Sequence, residues 1–263
     1  MKKKVFILLM VFTIGINGLC GQEQDILVIS QHNFKVYRRV VDSVFYIISE
    51  HKKKKLYDSL VYVSIVCNDF VQILDNKGNV SFLDSELKEI DISNVVCSAI
   101  PCMPTSSNQY YIEEEEGEFR VFAKYIDDGN AKYKDDPQPV VVTVISKEKA
   151  DDVYFLNSRR SLTVYDCPSG AYVSPVFIIE KNKKFTIQDL YNLTARPIRF
   201  YDTVFIDRSS KIRVKKDGFY GYHDVTVIKY SCLDIFEYNL AYFELQNGKR
   251  GYIDTSGNEY FIK

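Results

Sequence analysis

The sequence predicts a mainly β chain, made of antiparallel meanders and a small barrel, with one helix near the N-terminus. Three observations lead there. The closing segment, Ala241 to Phe261, reads as strand, turn, strand, turn: Tyr242, Glu244 and Gln246 alternate with Phe243 and Leu245, the period of two of a half-buried strand. Within it Asn247-Gly248 is a hairpin dipeptide, expected to form a type I′ turn because both residues tolerate positive φ. The same grammar recurs at Lys216 to Asp224, where Gly218, Gly221, Tyr222 and Asp224 stand for Gly248, Gly251, Tyr252 and Asp254, and with fewer matches at Lys77 to Asp84. Composition agrees, since 20 Tyr and 17 Phe with no Trp, beside many Val and Ile, favour strands over helices.

Met1 to about Gly21 has the build of a secretory leader. Lys2, Lys3 and Lys4 precede an apolar run from Val5 to Ile16, and small residues follow at Gly18 and Gly21. The mature chain is expected to begin at Gly21 or Gln22, outside the cytosol, in the periplasm or at the cell surface. Cys20 resembles the lipidated cysteine of a bacterial lipoprotein, with Leu19 in place of the usual small residue. Simple cleavage is the preferred reading, and lipidation at Cys20 the alternative. No later run approaches the length of a membrane span.

Residues 22–150 are expected to form a β-rich region and residues 151–263 a second module, with the charged segment Ser146 to Asp152 as the candidate boundary or, equally, a surface loop within one domain. Ile26 to Ser30 reads as a first strand. Phe34, Tyr37, Val41, Val44, Phe45 and Ile48 fall at helical spacing, and Lys52 to Lys55 would suit a helix C-terminus, so a helix is predicted from about Asn33 to Lys54. Val61–Val66, Phe70–Leu74 and Val80–Leu83 read as a meander. A loop rich in Pro and Ser follows, then a carboxylate run at Glu113 to Glu116 that reads as a solvated edge. Phe119–Tyr125 and Val140–Ile145 complete the first region.

In the second region Ser161-Leu-Thr-Val-Tyr-Asp-Cys-Pro-Ser-Gly170, Val176 to Gln188 and Lys211 to Tyr222 follow one another. This order resembles a bacterial SH3 domain through Leu162, Val164, Pro168, Ser169, Val214, Gly218, Gly221 and Tyr222. Tyr165 replaces the family's Arg, Lys211 or Ile212 its Trp, and a long insertion separates the last two segments. The resemblance implies a small barrel of short strands without catalytic chemistry. Gly248 to Glu259 resembles a WG-type β-repeat, with Arg250 in place of its Trp, and implies the same class of scaffold.

A formal net charge of −1 gives no general attraction to nucleic acid. Of the three histidines, His51 adjoins lysines, His32 lies in a loop, and strand alternation would place His223 and Asp224 on opposite faces. No phosphate loop or Cys-x-x-Cys is present, so no catalytic residue, metal or cofactor is expected. Cys97 and Cys102 are close enough for a local disulfide, with buried free thiols as the alternative. What remains is aromatic surface, and Tyr165, Phe219, Tyr220 and Tyr222 are the expected binding residues. The expected function is an exported, non-catalytic binding protein of the bacterial envelope, recognising a cell-wall peptide or an envelope protein through hairpin loops. The alternatives are an envelope hydrolase or accessory subunit using Cys167 or Cys232 with His223, and a structural β-repeat protein.

Overall fold

The computed structural model describes residues 25–31, 33–39, 44–51, 53–67, 69–95, 106–127, 138–156, 160–166, 176–189, 199–206 and 211–262. The fold is mainly β, and every strand pairing in it is antiparallel. The first sheet is a meander of β1 (Asp25–Gln31), β2 (Phe34–Arg39), β3 (Phe45–Ser49) and β4 (Lys54–Tyr57), and the second a meander of β5 (Leu60–Val66), β6 (Phe70–Asp75), β7 (Val80–Leu83) and β8 (Glu89–Ile90). Next come β9 (Ser106–Glu115), β10 (Glu118–Asp127), β11 (Val140–Ser146), β12 (Asp152–Phe155) and β13 (Ser161–Asp166); β13 joins β9 to give the order β11-β10-β9-β13. Strands β14 (Val176–Lys181) and β15 (Lys184–Asp189) form a three-stranded sheet with β12. The chain ends in a seven-stranded meander of β16 (Thr203–Ile206), β17 (Ile212–Lys216), β18 (Phe219–Tyr222), β19 (Tyr230–Leu233), β20 (Leu240–Leu245), β21 (Arg250–Asp254) and β22 (Glu259–Phe261).

The helix expected from Asn33 to Lys54 is instead β2, β3 and the start of β4. Phe34 and Val36 are buried while Lys35 between them is exposed, so burial follows period two, and the β-branched and aromatic residues settle on a pleated surface. Lys54 lies over the Tyr46 ring at 4.0 Å and Lys55 over Tyr57 at 5.2 Å, on a strand and not at a helix end. No barrel closes among the described strands either. The segments expected to build it lie in three sheets: Ser161–Asp166 pairs with β9, β14–β15 with β12, and β17–β18 with their sequence neighbours.

Residues from both sides of Ser146–Asp152 meet in one core, in which Tyr110, Ile112, Phe119, Val121 and Ile145 pack with Ala150, Val153, Phe155 and Phe177. A second core joins the first two sheets through Phe34, Val36 and Ile47 against Val63, Val71, Ile73 and Leu83.

The second sheet and the last four strands are two copies of one unit. Leu60 pairs with Asp75 and Tyr62 with Leu74 across a bulge, and 170 residues later Tyr230 pairs with Leu245 and Cys232 with Glu244 across the same bulge. The correspondence continues without a slip: Val71–Leu83 matches Ala241–Ile253, and Leu83–Glu89 matches Ile253–Glu259. Inward positions agree as well, with Val63, Ile73 and Leu83 buried in one copy and Leu233, Phe243 and Ile253 in the other. Each copy turns after its third strand around an aspartate. Asp84 Oδ1 accepts from the backbone N–H groups of Glu86 at 2.8 Å and Lys88 at 2.9 Å; Asp254 Oδ1 accepts from those of Ser256 and Asn258, both at 2.9 Å. The left-handed position of this turn is Leu87 (φ 60°) in the first copy and Gly257 (φ 90°) in the second.

The Asn247-Gly248 hairpin is not the expected type I′ turn. Only Gly248 has positive φ (78°), and the Gly248 N–H donates to Leu245 O at 2.9 Å, so a type I turn closes on a glycine bulge. Both central residues are left-handed at Asp217-Gly218 (φ 52° and 86°), which is why that hairpin is shorter and its match to Asn247-Gly248 is only approximate.

Candidate binding groove

Each unit has an inner face, packed into a core, and an outer face made by the alternate residues of its strands. On the first unit the outer face is covered by the second. The β19–β20 turn places Tyr238 at φ 57°, its ring edge-on to Phe82 at 5.3 Å and its hydroxyl donating to Val95 O at 3.0 Å. Gln72, 1% exposed, donates through Nε2 to Glu237 O at 3.2 Å and accepts at Oε1 from Asn239 N–H at 3.3 Å. Asn239 Nδ2 in turn donates to Ser64 Oγ at 3.2 Å, and Tyr62 stands edge-on to Tyr260 at 5.1 Å. The buried amide is thereby satisfied by backbone of the other unit.

The same face of the second unit lines a groove of about 1040 Å³. Tyr242 and Tyr252 form its floor, rings 5.8 Å apart and close to perpendicular. They occupy the places that Gln72 and Phe82 hold in the first unit. Asp234 and Glu237, both exposed, stand on the wall where the first unit has Ser64 and Cys67. The Tyr252 phenol is raised by burial, then by Tyr242 and the carboxylates of Glu237 and Asp234, so at neutral pH it is a hydrogen-bond donor. Arg213 closes one end, its Nη1 donating to Leu233 O at 2.5 Å and its guanidinium lying over Phe205 at 5.0 Å. From behind, the Tyr222 hydroxyl donates to Asp234 O at 2.7 Å and fixes the wall. A floor of two phenols beside two carboxylates can hold apolar, hydrogen-bonding and cationic groups together.

Of the four aromatic residues expected to bind, Phe219, Tyr220 and Tyr222 share β18, and Tyr220 packs against the core cluster that holds Tyr222, while Tyr165 lies apart. Tyr165 is on β13, opposite Ser107 in another sheet. Tyr222 is fully buried and packs on Phe236. Phe219 and Tyr220 are half-buried, and the Tyr220 ring carries Lys215 at 5.0 Å and Arg213 at 5.9 Å. Cys20, Cys97, Cys102 and Cys167 lie outside the described residues, as does His32. Cys67 is disulfide-bonded. Cys232 is free and exposed, its thiol pushed up by burial and then by Asp234 and Glu244. His223 and Asp224 are not on opposite faces: strand β18 ends at Tyr222, Asp224 turns at φ 61°, and their side chains meet at 3.2 Å, with Tyr201 Oη 2.9 Å from His223 Nδ1. Glu114 pairs with Lys147 and Arg160 at the surface.

Sequence reasoning missed Tyr242, Tyr252, Asp234, Glu237 and the inserted Tyr238. One signal could have found them: Gly78 and Gly248, Asp84 and Asp254, and Glu89 and Glu259 share one spacing. No protein-family model matches the chain, and no curated protein is similar to it.

Proposed function

We propose that this chain is an exported, non-catalytic binding protein of the bacterial envelope, which recognises a cell-wall peptide or an envelope protein through the outer face of its last four strands. The observation that carries this reading is the groove over Tyr242 and Tyr252, because the matching face of the first unit already serves as a docking surface for a protein turn. Concave surfaces with aromatic floors and a few fixed polar groups are the usual form of a recognition site.

Export rests on the leader-like first residues, and a disulfide at Cys67 suits an oxidising compartment. The likeness of residues 161–222 to bacterial SH3 modules and of the last hairpins to WG-type repeats belongs to the same proposal, as both are scaffolds for binding. A hydrolase built on Cys232 is disfavoured by its thiol, since a nucleophilic cysteine needs a lowered pKa and two carboxylates here raise it.

The test is co-sedimentation of the mature chain with intact cell-wall sacculi, beside Tyr242→Ala and Tyr252→Ala variants. Point variants are preferable to truncation at Val153, which would cut through a shared core. Binding lost in both variants supports a cell-wall ligand at the groove. Binding unchanged in both refutes the groove, and no binding by the parent chain leaves an envelope protein, sought by cross-linking.

A further inference from the structure

We infer that the groove of the second unit takes a tight turn that carries an aromatic side chain flanked by lysine or arginine, seated as Tyr238 is seated on the first unit. This rests on the reading of the groove as a recognition site and names its partner.

The two outer faces correspond residue by residue, so the occupant of one is a template for the other. On the first unit that occupant is a turn in which a left-handed Tyr238 presents its ring edge to Phe82 while Gln72 holds the backbone on both sides of it. In the second unit Tyr252 stands for Phe82 and Tyr242 for Gln72, which keeps an aromatic floor and puts a phenol where the amide held the turn's backbone.

The wall differs in charge. Neutral Ser64 and Cys67 are replaced by Asp234 and Glu237, both exposed beside the Tyr252 hydroxyl. In a second copy of this chain the Phe236–Leu240 turn is already seated on that copy's first unit, and it carries Glu237, which would set like charges against both carboxylates. The repulsion selects against self-docking and in favour of a basic flank, and a cation over Tyr242 or Tyr252 gains further from the ring faces.

The probe is a disulfide-closed synthetic peptide with the sequence of the Phe236–Leu240 turn bearing Glu237→Lys, titrated into the mature chain by fluorescence anisotropy. Two control peptides carry the parent Glu, or Glu237→Lys with Tyr238→Ala. The lysine peptide is expected to bind at least about tenfold more tightly than either control, a preference that corresponds to a modest electrostatic or aromatic contribution. The preference over the Glu peptide should vanish in Asp234→Asn/Glu237→Gln protein, which keeps shape and fold, and should fall as salt rises. Equal binding of all three peptides, or no binding of any, overturns the inference. If the peptides fail while sacculi still sediment the parent chain and release the Tyr252→Ala variant, the recognition site stands and only this partner class falls. If the Tyr252→Ala variant is retained as well, both fall.

Discussion

The side-chain amide of Gln72 reaches the backbone on either side of Tyr238, accepting from Asn239 N–H and donating to Glu237 O, residues more than 160 positions away in the chain. One glutamine therefore does for the two units what a pair of ladder hydrogen bonds does for two strands.

Gln72→Ala should lower stability by about 2 kcal/mol, because it strands the Asn239 N–H inside the docked interface, leaves Glu237 O with only the Leu240 N–H, and opens a small cavity. Urea unfolding followed by tyrosine fluorescence would read this as a lower midpoint. An unchanged midpoint would mean that the Tyr238, Asn239 and Tyr260 contacts hold the units together without Gln72.

Leu87 sits in the left-handed region, where its counterpart is Gly257. Relief of backbone strain by Leu87→Gly is worth about 1–2 kcal/mol, but Leu87 is 5% exposed and packs in the core of the first two sheets, and loss of that side chain costs about 2–5 kcal/mol. Packing outweighs strain, so the variant should melt lower. A higher melting temperature would show that the leucine is held against its preference at net cost.

Asp254 and Tyr260 set both pH limits of the last hairpin. Burial works against the ionised Asp254, yet hydrogen bonds from Asn258, Tyr260 and Ser256 outweigh it and keep the carboxyl below its ordinary range. Its stabilising contribution is present above the unfolded value and is lost as pH falls through the lowered folded one. Burial, then Asp254, raises the Tyr260 phenol, and burial and Glu259 raise that of Tyr230. These contributions are full below the ordinary phenol range near pH ~10 and disappear as pH climbs through the raised values. Melting temperature should thus fall at both extremes, and Asp254→Asn should flatten the acid arm. An acid arm unaltered by that change would remove Asp254 from the account.

Cys232 should react slowly with iodoacetamide at neutral pH, several-fold below a free model thiol, because its raised pKa leaves little thiolate. Cys67 should stay unmodified until reductant is added. Rapid labelling of Cys232, read by mass spectrometry, would restore the hydrolase alternative.

The strands were legible wherever side chains alternate on a half-buried face, as at Phe243 and Leu245 or Val71 and Ile73. The N-terminal region misled because Phe34, Tyr37, Phe45 and Ile48 fit period 3.6, while the period-two pairs Phe34/Val36 and Phe45/Ile47 overlap them in the same short window, and only pairing with β1 and with β4 decides between the two readings. The groove was not legible from its own residues. Tyr242 and Tyr252 read as ordinary strand tyrosines, and only the fold shows that they line a groove. Tyr222 showed the reverse: its hairpin position suggested surface, whereas its side chain is fully buried and its hydroxyl is bound to the Asp234 carbonyl.

The distance in sequence between the two units also bears on how the chain comes into being. The first unit is complete once Ile90 has left the ribosome, but the turn that covers Phe82 and satisfies Gln72 is made nearly 150 residues later. Through that interval a sticky aromatic face stays bare, and contacts this remote form slowly. Interrupted synthesis or proteolytic loss of the C-terminal strands is therefore expected to yield a fragment that aggregates through its outer face, so that chaperone dependence should end only when the last hairpins arrive.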